Sequence, residues 1–123
     1  MQQRFPWKAF VLLLTAVILW FALRPSAPNM SLFGWDKLDH MAAFFVLSVF
    51  ARVAWPRMSV LVIFGALALF GGGIEIAQWL MGMGRDADVK DWIADLIATV
   101  AGLGCAFILR LILPGIARPA QPR

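Results

Sequence analysis

Side chains that could do chemistry crowd into two short stretches of this 123-residue sequence. One is Asp36-Lys37-Leu38-Asp39-His40. The other runs from Gly71 to Asp95 and reads GGGIEIAQWLMGMGRDADVKDWIAD. In the second, Glu75 and Gln78 interrupt one apolar run, Gly82 and Gly84 break the chain, and Arg85 follows. Asp91 and Asp95 then sit inside a further apolar run. Glu75 and Gln78 are three residues apart, Asp91 and Asp95 four, and Asp36 and His40 four. On helices, each of these pairs shares a face. Ionisable groups in apolar segments are expensive and usually face a protein interior or a wet cavity.

The chemistry open to this set is limited. A histidine beside Glu or Asp can move protons. Carboxylates with an imidazole can instead hold a divalent metal, and the ligand types suit Mg, Mn or Zn without choosing between them. Nothing in the spacing assigns a metal cofactor. Arginine grips an anion through two parallel hydrogen bonds and lysine as a point charge. His40, Glu75 and Asp91 are therefore the candidate catalytic groups, and Lys37, Gln78, Arg85, Asp36 and Asp95 the candidate ligand-binding groups. Each has a plainer reading as well. Glu75 can tie helices together, His40 can be a packed histidine, and Asp91 can cap a helix or complement its dipole. Arg85 can pair with Asp86 or Asp91, while Asp86, Asp88 and Lys90 read as solvated loop charges. Trp35, Trp55, Trp79 and Trp92 read as interfacial anchors.

The elements that must position these groups follow from composition. Apolar residues make up 62% of the chain and its mean hydropathy is +0.81, against roughly 45–50% apolar residues in soluble domains. The surplus calls for a lipid solvent, so the expectation is an all-α integral membrane domain. Four helices are predicted, at about 5–23, 37–54, 58–81 and 89–113, before a basic tail at 114–123. Each apolar run approaches the roughly 20 residues that a bilayer requires. The first lacks an A-x-A-like cleavage site and reads as a retained anchor. The short Arg52–Arg57 turn predicts that the second and third helices pack as antiparallel neighbours. Ala94, Ala98, Gly102 and Ala106 form a stripe of small residues suited to close helix approach, and Gly71 to Gly73 offer the same on the third helix. Cys105 has no partner cysteine and reads as a small packing residue.

Charge fixes the expected orientation. In a four-helix arrangement Arg4, Lys8, Arg52, Arg57, Arg110, Arg118 and Arg123 fall on one side with no acid among them. All seven acids fall on the other, with only Arg24, Lys37, Arg85 and Lys90. Lys and Arg are retained on the cytoplasmic side, so both termini are expected inside and the acidic group at the outer face. The net charge of +4 does not indicate nucleic acid, because the basic residues flank apolar runs.

Asp36-Lys37-x-x-His40, Glu75-x-x-Gln78, Gly84-Arg85, Asp91 and Asp95-x-x-x-x-x-x-Gly102 together resemble the VanZ-like family of small bacterial membrane proteins. The resemblance covers about Trp35 to Gly104. Asp95 stands where that pattern more often has Asn, and Ala98 where it more often has Gly. The resemblance implies a multi-pass protein of the bacterial inner membrane, linked through the family's namesake to teicoplanin resistance. The partners expected are membrane lipid and a lipid-linked or cell-wall precursor held at a polar pocket. An enzyme acting on such a head group and an ion-coupled carrier are the alternatives, and the carrier would need a homo-oligomer. A purely structural cluster is the fourth reading.

The charge sorting is open to direct mapping. With Cys105 replaced by serine, Arg57→Cys should react only with membrane-permeant maleimides in intact cells. Asp88→Cys should be blocked by impermeant ones.

Overall fold

The computed structural model describes residues 5–23, 36–81 and 89–113, with the backbone alone at 36 and 37. Four helices account for nearly all of them: α1 (Trp7–Ala22), α2 (Asp36–Ala54), α3 (Val60–Leu80) and α4 (Val89–Ile112). No strand occurs among the described residues. The bounds agree with the sequence expectation to within two residues, the usual latitude of a fraying helix end.

Local chemistry explains the one turn that is described. Trp55 N–H still bonds to the Ala51 carbonyl at 3.0 Å, but Pro56 has no N–H to continue α2. Ser59 then caps α3, its Oγ accepting from Leu61 N–H at 3.2 Å. The Arg52 guanidinium donates to the Met58 carbonyl and braces the turn from behind.

α3 and α4, at 21 and 24 residues, are long and apolar enough to cross a membrane, while α1 is a shorter apolar helix. Their outer faces are greasy: Leu61 and Leu69 on α3 are about four-fifths exposed, and Ile97, Val100, Phe107 and Leu111 on α4 more than half. Surface this continuously apolar belongs against lipid or another protein. α2 also spans 19 residues, but Asp36, Lys37, Asp39 and His40 cluster at its start and Arg52 at its end.

The largest helix interface is between α2 and α4. Ala98, Gly102 and Ala106 of the small-residue stripe are all buried, as expected for the seam of a close crossing. Gly102 is its tightest point. A methyl group there would overlap Ser48 Oγ and lie 2.5 Å from the Phe45 carbonyl. Ser48 is wholly buried and stays satisfied by donating to that same carbonyl at 2.8 Å. Arg52 also feels the charge of Arg110, so the C-terminal ends of α2 and α4 adjoin and the two helices run parallel.

α2 and α3 are antiparallel neighbours, as the short turn predicts, but the interface they share is small. α3 instead packs chiefly on α4. The smooth stripe on α4 lets α2 approach backbone to backbone, whereas α3 is held off α2 by Phe44. That ring is buried in the core and faces Gly71 and Phe70. Cys105 is half-buried rather than enclosed.

Two glycines give contrasting expectations. Gly102→Ala should destabilise the protein by about 1–3 kcal/mol, because the Phe45 carbonyl cannot turn aside. Gly73→Ala, which meets nothing within 4 Å, should be neutral or stabilising by roughly 0.5–1 kcal/mol. Thermal unfolding of both variants in one detergent would check the difference.

Candidate functional site

The contact at Gly102 sets the register of the polar groups. Gly102 lies against Phe45 and Ser48 on the parallel α2. Two helical turns toward both N-termini, about seven residues at 3.6 per turn, bring Asp95 level with residues 38–41 of α2. His40 is among them and is half-buried. Asp91 lies one turn further out, half-buried in the first turn of α4, where an acid complements the helix dipole.

From α3, Glu75 and Gln78 reach the same end, 8% and 3% exposed, and Asp95 is 3% exposed. Asp95 stands close enough to Glu75 and to Asp91 to feel the charge of each. Two helices, α3 and α4, thus bring acids into one neighbourhood, where the spacing predicted that three helices converge. Among the described residues, no three His, Cys, Asp or Glu side chains are disposed to hold a single metal ion. No buried side-chain oxygen or nitrogen among them lacks a hydrogen-bond partner. Arg85 lies outside the described residues, and so do the side chains of Asp36 and Lys37.

The structure adds contacts that spacing did not reveal. Gln78 Nε2 donates to the Ala22 carbonyl at 2.7 Å. The last carbonyls of a helix have no partner within it, and this buried one at the end of α1 takes its donor from α3. Gln78 therefore clamps α1 to α3 at the edge of the acidic group. Thr99, also buried, donates to the Asp95 backbone carbonyl at 2.8 Å, which satisfies its hydroxyl within α4.

Trp92 departs from its expected role as an interfacial anchor. Its indole Nε1 donates to the Ala68 carbonyl at 3.0 Å, and the ring lies over Gly71 and Gly72. A side chain at Gly72 would meet that nitrogen at 3.4 Å. Two adjacent glycines strip the cover from a turn of α3, so an indole on α4 can reach a backbone carbonyl there. The helix runs unbroken through Gly71 to Gly73. Trp79, by contrast, is mostly exposed and fits an interfacial position.

A family model described as VanZ/LLP1 matches residues 6–110. The match is wider than the stretch that carries the motifs and takes in α1, the helix that Gln78 secures. No curated protein and no solved structure matches the chain.

The clamp can be tested without any ligand. Gln78→Leu removes the donor to the Ala22 carbonyl and should cost about 1–3 kcal/mol. Hydrogen exchange over residues 18–23 should quicken selectively. Unchanged exchange there would show that the contact does not hold α1 in place.

Proposed function

The chain belongs to the VanZ/LLP1 family, and on that premise we propose a four-span protein of the bacterial inner membrane that binds an anionic, lipid-linked component of the cell envelope. Both termini face the cytoplasm in this reading. The site opens at the outward ends of α2, α3 and α4. Holding a lipid head group or cell-wall precursor there would shield it, which is the role suggested by the family namesake's link to glycopeptide resistance.

One observation carries the proposal: Glu75 and Asp95, on different helices, are both buried at the same end. Burying acids beside one another is costly, and packing alone would be served better by apolar residues of similar size. Carboxyl groups so placed suit a ligand rich in hydroxyl and amide donors, as a sugar- or peptide-bearing head group is. Lys37 follows Asp36 in the first turn of α2, and Arg85 lies in the segment between α3 and α4. They would take the phosphate, Arg85 through paired hydrogen bonds. His40 stands level with Asp95 and would contribute a ring nitrogen to the same ligand.

The test is binding of a polyprenyl-pyrophosphate-linked cell-wall precursor to the protein in nanodiscs. Arg85→Ala and Lys37→Ala should each weaken binding by roughly tenfold, the loss expected for a charge-assisted contact. Glu75→Gln should weaken it too, while the protein remains folded. Equal retention by wild type and both cation variants would remove the binding reading. Turnover of the precursor that vanishes in His40→Ala would replace it with an enzymatic one.

A further inference from the structure

The end of the bundle opposite the acids carries a second arrangement, which does not depend on the reading above. A cleft of about 420 Å³ opens there, lined by Lys8, Ala54, Trp55, Pro56, Arg57 and Met58. Lys8 and Arg57 are exposed at its edge. Arg52 lies directly behind, donating to the Met58 carbonyl, and it shares an electrostatic neighbourhood with Arg110. Cations from α1, α2, α4 and the α2–α3 turn therefore converge. All seven Asp and Glu residues lie within 36–39 and 75–95 of the sequence, and those on the described helices sit at the other end of the bundle.

The surroundings place this cleft at the level of lipid head groups. Phe5, Trp7, Phe10 and Phe50 form a ring cluster beside it, with Trp7 stacked on Phe50 at 5.6 Å and Phe10 edge-on to Phe50 at 5.0 Å. Aromatic groups of this kind collect where hydrocarbon meets water. Just past the cleft, Val60, Leu61 and Val62 at the start of α3 are exposed and apolar. A ligand with a negative head and an acyl tail fits that sequence of surfaces. A wholly soluble anion would use only the first.

We propose that the cleft lined by Lys8, Arg57 and Trp55 holds the phosphodiester head group of an anionic phospholipid of the surrounding bilayer. Lys8 and Arg57 contact the phosphate, Arg52 and Arg110 add to the positive field behind it, and the acyl chains lie along the first turns of α3. The cations of this face, with no acid among the described residues beside them, gain a counter-charge from the lipid.

Native mass spectrometry of the protein released from nanodiscs of equal phosphatidylglycerol and phosphatidylcholine would test this. The wild type should retain phosphatidylglycerol in preference. Basic groups near an anionic surface each contribute about fivefold, so the Lys8→Ala/Arg57→Ala double variant should lose roughly thirtyfold in that preference. Both side chains are exposed, so folding should survive, and Lys8→Arg/Arg57→Lys should restore retention. Lys90→Ala, at the other end of the bundle, should change nothing. Equal retention of the two lipids by the wild type would overturn the proposal, as would an unaltered preference in the double variant. A loss in Lys90→Ala as large as in the double variant would reduce the effect to bulk charge and equally overturn it. Inorganic phosphate at millimolar concentration should not displace the lipid, and displacement would assign the cleft to a soluble anion instead.

Discussion

The close approach of α4 to α2 at Gly102 is the constraint on which the other contacts rest. Only a residue without a side chain fits against the Phe45 carbonyl and Ser48 Oγ. Helices surrounded by lipid gain little from excluding it from each other, and short-range dispersion contacts of this kind are what holds such a crossing together. Once that distance is set, so is the register. The Asp91–Asp95 face of α4 arrives level with His40, and Arg110 arrives beside Arg52. Shifting the crossing by one turn would disturb both polar ends together. The two buried hydroxyls near the seam, Ser48 and Thr99, avoid competing for partners by bonding to carbonyls of their own helices.

How much of this was legible in the sequence depends on the kind of signal. Helix positions follow from apolar runs and their Pro, Gly and Ser punctuation, and they came within two residues. The seam on α4 was legible because small residues at every fourth position form a straight stripe. The clustering of Glu75 with Asp91 and Asp95 was legible because spacing and charge sorting both point to it. Trp92 and Gln78 were not readable in the same way. Whether an indole reaches lipid or a neighbouring carbonyl depends on helix rotation and on what lies opposite, here the bare backbone at Gly71 and Gly72. Whether an amide faces a pocket or clamps another helix depends on where α1 ends, a fact of packing with no local spacing to mark it. The relative size of the helix interfaces was hidden for the same reason. A short turn fixes direction and adjacency, but side-chain size decides how closely two helices approach.

Helix dipoles account for some of the charge placement and fail to account for the rest. α2 and α4 run parallel, each with acids at its start and an arginine in its last turn, which suits their dipoles. α3 runs the other way and has no acid in its first turn and no base in its last. Glu75 sits toward its negative end and gains nothing from its own helix. What it meets instead is the N-terminal half of α4, with the start of α2 at the same end of the bundle. Each helix end offers roughly half a positive charge, so two of them offset only part of three neighbouring carboxyl groups. The helix frame alone therefore leaves the acidic end short of positive charge. In the proposed reading the helix ends are already engaged by carboxyl groups, so a ligand's phosphate would fall to Lys37 and Arg85.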